Sequence, residues 1–130
     1  MCRVDYEDSA TVLLQKDRKA RKEHKCDECR RVIGVRETYE EQRYLSEGTV
    51  YVHRTCDRCI IPRSWLVSNC GGYVYGDVAE EICEHVTEYP HLADDLGRFV
   101  TGFKSKWKND DGILMPIPDQ AAALDVKDRF

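Results

Sequence analysis

Residues 25–59, KCDECRRVIGVRETYEEQRYLSEGTVYVHRTCDRC, open on Cys26-x-x-Cys29 and close on Cys56-x-x-Cys59. Two residues between cysteines let one tight turn aim both sulfurs at a common point, and a tetrahedral zinc ion takes four such ligands at about 2.0–2.3 Å. Between the pairs, 35–45 and 49–54 are rich in Val, Thr and Tyr, and Ser46-Glu47-Gly48 separates them as a turn. The pattern predicts a β-hairpin that returns the second cysteine pair to the first. The second pair falls where a helix is expected to start, with Thr55 as N-cap and Asp57 in the first turn, where negative charge suits the dipole. A helix N-terminus also favours thiolate over thiol.

A cysteine knuckle, a hairpin and a cysteine pair on the first turn of a helix describe a treble-clef zinc finger, an α+β arrangement. One structural zinc ion is expected at Cys26, Cys29, Cys56 and Cys59. Such a site is closed to water, and binding contributes on the order of 10 kcal/mol to folding. Bridging within the pairs, a redox CxxC or an iron–sulfur cluster are the alternatives. A thioredoxin-like site needs one CxxC rather than two facing each other. His24 and His53 lie close enough in sequence to replace a cysteine or to hydrogen-bond a sulfur; otherwise they are ordinary strand histidines.

With 130 residues, the chain has the length of one domain with a tail. The start MCRVDYEDSA has no apolar signal segment, and no run reaches membrane-spanning length. The expected compartment is therefore the cytosol. Thiols stay reduced there, and seven cysteines, an odd number, disfavour a complete disulfide framework. Residues 1–63 hold 14 Lys and Arg against 12 Asp and Glu, a net +2, whereas 64–130 hold 6 against 12, a net −6. Wrapping of nucleic acid by the whole chain is disfavoured, while local phosphate contact by the first half remains open.

Val12, Leu13 and Leu14 form a short apolar run, and KDRKARKEHK (16–25) reads as a basic extended arm leading into the knuckle. Pro62 is expected to interrupt the helix after Cys59, leaving a second segment over 63–69. Cys70-Gly71-Gly72 breaks that segment. Asp77 then caps a helix over 78–88 with Val78, Ile82, Cys83 and Val86 on one face, and Pro90 ends it. Leu92, Leu96, Phe99, Val100, Phe103 and Trp107 make an apolar stripe on a helix over 91–107. The stripe serves as core or, alternatively, as a surface for a second copy or a partner helix. These readings divide the chain into a zinc module with its arm (1–69), a helical part packed on it (70–112) and an extended tail (113–130). Cys2, Cys70, Cys83, His85 and His91 fit no metal-ligand spacing.

RKARKEHKCDEC, then Ile33, Glu37-x-Tyr39, the turn at Gly48 and RTCDRC resemble a group of small zinc-finger proteins encoded by bacteriophages and prophages. The resemblance covers residues 16–66. It implies zinc and a phage setting, and the group is largely without assigned function. Arg30 and Arg36 stand where the group's pattern has glycines. A non-glycine residue at positive φ costs on the order of 1 kcal/mol, so a knuckle that differs in detail is expected, with Gly34 taking over part of the turn.

No Ser/His/Asp set, phosphate loop or dedicated carboxylate pair is legible, and a treble-clef nuclease would need more histidines than His53 at the hairpin. The expected function is a non-catalytic binding protein of phage type that acts on a host protein or nucleoprotein machine. Inhibition of an antiviral defence such as CRISPR is one version of this. Asp77, Glu80, Glu81, Glu84 and Glu88 are the candidate contacts, mimicking phosphate. The rival reading is direct nucleic-acid binding through Lys19, Arg21, Lys22, Lys25, Arg30, Arg31 and Arg54. A third is a phage structural or assembly protein that oligomerises, as a dimer for instance.

Overall fold

In the computed structural model, residues 11–118 are described. Expectations for 1–10 and for the tail beyond 118 lie outside the described residues. The fold is α+β. Its elements are β1 (Thr11–Lys19), β2 (His24–Lys25), β3 (Val32–Ile33), β4 (Thr38–Ser46), β5 (Thr49–Cys56), α1 (Ile60–Cys70), α2 (Val78–Glu88), a 3-10 turn (Pro90–Leu92) and α3 (Ala93–Ser105).

Strands β1, β4 and β5 form an antiparallel sheet in the order β1-β4-β5, and β2 pairs with β3 as a separate small ribbon. The hairpin lies where Val, Thr and Tyr predicted it. Ser46 pairs with Thr49 across a two-residue turn in which Glu47 and Gly48 both have positive φ, 52° and 80°, the conformation that matches strand twist. The basic run 16–25 is only partly an arm: Lys16–Lys19 lie in β1, paired with Glu41–Thr38 of β4. The charged strand is stabilised there by cross-strand partners, and Arg18 Nε meets Glu41 Oε2 at 3.0 Å.

Two helix expectations need correction. Helix α1 runs unbroken through Pro62, which is its third residue. In the first turn a missing N–H has no intrahelical acceptor to lose, so the proline is tolerated. Cys59 occupies the N-cap position, while Thr55 is a buried residue of β5 and caps nothing. Asp57 likewise lies before the helix, where it pairs with Arg58 and Arg31. Asp77 does precede α2, but its side chain makes no capping bond. The carboxylate of Glu28 replaces it, accepting from Gly76 N at 2.9 Å and Val78 N at 3.1 Å, where anionic charge suits the dipole.

The stripe on 91–107 is core. Leu92, Leu96, Phe99, Phe103 and Trp107 join Trp65, Leu66, Val78 and Ile82 in one buried cluster that also contains the four paired cysteines. The last member reaches it from outside the helix. Helix α3 stops at Ser105, and Lys106 and Trp107 turn left-handed at φ 54° and 61°. The Trp107 ring then lies against Gly102, where a β-carbon would collide with it.

Alternation along the strands gives the sheet two unlike faces. Gln15, Glu40, Gln42, Tyr44 and His53 point towards α1 and residues 73–75. Arg63 of α1 reaches Glu40 with two nitrogens, at 2.6 and 2.8 Å, and Gln42 and Gln15 donate to the same carboxylate. Burial alone would raise the Glu40 pKa, but Arg63 and Gln42 outweigh it and lower it to about 2. A carboxylate depressed in the folded state stabilises above its unfolded pKa and loses that contribution as pH falls. Unfolding free energy should therefore drop between about pH 4.5 and pH 2, and Glu40→Gln should flatten that segment of a denaturation–pH profile. Glu40→Ala strands a buried guanidinium, and urea unfolding should read a loss of about 3–5 kcal/mol at pH 7.

Candidate metal centre

Three local structures deliver the four sulfurs. The knuckle between β2 and β3 carries Cys26 and Cys29. It is closed by Cys26 N to Arg31 O at 2.8 Å and Arg30 N to Cys26 O at 3.0 Å. Cys56 ends β5, and Cys59 stands immediately before α1. The expected knuckle difference takes an unexpected form: Arg30 and Arg36 themselves adopt positive φ, 68° and 77°, and Gly34 is not among the positive-φ residues. The backbone keeps the left-handed turns without the glycines that would relieve them.

The ligand atoms of Cys26, Cys29, Cys56 and Cys59 lie within 4.8 Å of one another, and all four residues are buried. None of the four is bridged. Cys29 Sγ and Cys56 Sγ are 3.9 Å apart. A disulfide needs about 2.05 Å, whereas sulfurs at the corners of a tetrahedron with metal–sulfur bonds of about 2.3 Å are about 3.8 Å apart. The spacing is compatible with a tetrathiolate metal site. Hydrogen bonds with Cys26 and Cys29 push the Cys56 thiol far below its ordinary pKa, and a bond with Cys29 lowers Cys26. Cys29 is raised by its bond with Cys26, and Cys59 by burial. Sulfurs this close share protons unless a cation takes their place.

Two donors meet the sulfurs, and a buried cation lies beside them. Cys56 N lies 3.3 Å from Cys26 Sγ, and Trp107 Nε1 donates to Cys59 Sγ at 3.4 Å. Arg31 is buried beside Cys56. Burial opposes its charge, but the Cys56 sulfur and Glu37 more than compensate and raise its pKa. Arg31 also bonds Glu37 Oε1 at 3.0 Å and lies 3.6 Å from Asp57 Oδ1. Sequence periodicity places Trp107 on the core stripe but gives no sign that its indole N–H faces a sulfur. The Arg31 role has only one sequence signal, an arginine two residues after a CxxC.

The histidines are occupied elsewhere. His53 Nε2 lies 2.7 Å from Glu28 Oε2, and His24 packs on Tyr39 with ring centroids 5.1 Å apart. Among the described residues the four cysteines are the only cluster that could hold a metal ion.

The proposed phosphate contacts are scattered. Lys19, Arg21, Lys22, Lys25 and Arg30 are exposed and Arg54 half-buried, whereas Arg31 is buried beside the sulfur cluster and faces no ligand from solution. In the acidic set, Glu80 and Glu88 are exposed and Asp77 and Glu84 half-buried, but Glu81 is fully buried and excluded from any surface. No protein-family model, curated protein or solved structure matches the chain. No helix among the described residues is long and apolar enough to cross a membrane.

Outer-sphere donors tune metal affinity by about 10–100-fold. Trp107→Phe removes the donor to Cys59 and keeps an aromatic, though smaller, ring in the core. Competition with a chromogenic chelator should show metal bound about tenfold more weakly, with far-ultraviolet circular dichroism unchanged.

Proposed function

We propose that this chain is a zinc-stabilised treble-clef module of phage type that binds a host machine through protein–protein contacts and catalyses nothing. The observation that carries the reading is the closed sulfur cluster: four buried cysteines at tetrathiolate spacing leave no position for a water or substrate. Zinc is the metal that a four-thiolate tetrahedron without redox function selects. The order of β2–β3 knuckle, β4–β5 hairpin and α1, with ligands from the knuckle and from the β5–α1 junction, supports the treble-clef assignment. The groups that resemble acid–base catalysts serve the fold. His53 and Glu28 bond each other, Glu28 also holds the start of α2, and Glu40 is held by Arg63.

Inhibition of a nucleic-acid-guided defence is the form of this function that the acidic second half favours. Glu80 and Glu88 are exposed on α2, and Asp94 is exposed at the start of α3. Such carboxylates compete with phosphate for a basic channel. The purified protein should contain one zinc per chain by elemental analysis, and Cys56→Ser should lose both metal and cooperative unfolding. Capture from host extract should retain a nucleic-acid-binding assembly that Glu80→Lys/Glu88→Lys releases. Equal retention by the double variant removes the phosphate-mimicry version.

One observation favours the nucleic-acid reading instead. The outward sheet face groups Lys16, Arg18, Arg43 and Arg54 around one carboxylate, Glu41, which Arg18 and Arg43 contact at 3.0 and 3.5 Å. If this face binds phosphates, anisotropy of a labelled single-stranded oligonucleotide should show affinity falling steeply with salt, and Arg43→Glu should weaken it. Absence of binding at low salt eliminates that reading.

A further inference from the structure

The outer edge of β5 changes character halfway along. Register and hydrogen bonds fix which backbone groups face away from β4. Arg54 N donates to Asp27 Oδ2 at 2.8 Å, Asp27 N donates to Arg54 O at 2.8 Å, and Cys56 N points to Cys26 Sγ. The knuckle thus caps the outward groups of residues 54 and 56. Strand alternation makes Val52 and Val50 the next outward pair. No strand lies beyond β5, so their N–H and C=O groups are unpaired among the described residues. Proteins usually blunt such an edge with charge, proline or a bulge. Thr49-Val50-Tyr51-Val52 has none of these, in a chain that is 34% charged. Val50, Tyr51 and Val52 are exposed by 55%, 47% and 41%.

We propose that this edge pairs with its own counterpart in a second copy, antiparallel about a two-fold axis at Tyr51. The outward groups dictate the register. Val50 of each copy forms a hydrogen-bonded pair with Val52 of the other, closing four backbone bonds, and Tyr51 faces Tyr51 at the non-bonded position, where side chains approach most closely. The inward side of the sheet already carries a ring stack: Tyr44 lies 4.1 Å from Tyr75 at 9° and 5.4 Å from Tyr51 at 21°. Pairing at Tyr51 continues that stack across the axis. On the outward side Val50 and Val52 meet their equivalents, with Leu45 beside them. No like charges come opposite each other. The knuckle already occupies the edge from Arg54 onward, so the contact is confined to residues 49–53 of each copy. The acidic helix surfaces and the metal centre lie outside this contact, so it goes beyond the binding reading above.

A contact confined to residues 49–53 of each copy is a small interface, so association is reversible and weak. Sedimentation velocity of the metal-loaded protein from 1 µM to 500 µM should show a monomer–dimer equilibrium. Val52→Pro deletes an outward N–H that the β4 ladder does not use, which an edge position tolerates. It should shift dimerisation at least tenfold while metal content and circular dichroism stay unchanged. Tyr51→Lys, which puts like charges face to face on the axis, should do the same. A monomer throughout the range overturns the proposal and leaves the edge to an extended segment of some other protein. A dimer untouched by both substitutions also overturns it.

Discussion

Convergence of four sulfurs fixes the rest of the molecule. Cys26 and Cys29 sit in a turn of a few residues, and Cys56 and Cys59 span the junction where the sheet ends and the first helix begins. With all four ligand atoms inside 4.8 Å, the direction in which α1 leaves the sheet is set by the cluster. Closing the intervening loop costs entropy that grows slowly with length, and a metal ion held by the four thiolates would offset it many times over. The cluster is also one wall of the hydrophobic core. Trp107 touches Cys59 through its N–H and Gly102 through its ring, so the last helix is referenced to the same point.

A second polar layer, independent of sulfur, joins the helical part to the sheet. Glu28 leaves the knuckle between two cysteines, meets His53 on β5 and accepts from the first turn of α2. Glu40 on β4 holds Arg63 on α1, while Gln42 contacts Tyr73 and Tyr75 at 2.6 and 2.5 Å. Each partner is available only when knuckle, sheet and helices are in one arrangement. Buried charges contribute little net stability compared with an apolar core, but a mispaired arrangement would leave them uncompensated. The network therefore penalises alternative packings more than it strengthens the native one.

What was legible in the sequence follows from how local each signal is. The CxxC pairs, a hairpin turn at Ser46-Glu47-Gly48 and the helical stripe at Leu92, Leu96, Phe99 and Phe103 are short-range patterns; the structure contains all three, with the turn itself only Glu47 and Gly48. All the misread features but Pro62 depended on long-range partners. Lys16–Lys19 belong to a strand because β4 supplies Glu41 opposite. Pro62 sits inside a helix because the helix begins only two residues earlier. Asp77 does not cap α2 because a carboxylate 49 positions away in sequence is better placed to do so. The burial of Arg31 and Glu81 is equally invisible locally, because composition marks both residue types as surface.

Arg30 and Arg36 extend the argument to tolerance of strain. Each holds a left-handed backbone that glycine would occupy at about 1 kcal/mol less. Neither side chain compensates by burial: both residues are exposed, and Arg30 lies 4.0 Å from Asp27 in a contact too solvated to matter much. The strain is instead held by the backbone around it. Arg30 N bonds Cys26 O, and Arg36 N and Glu37 O bond Ala20 O and Ala20 N. Those bonds exist because the turn is pinned at Cys26 and Cys29 on one side and by the β1–β4 ladder on the other. A knuckle closed by four sulfurs can carry arginine at both positions, and it gains exposed positive charge there.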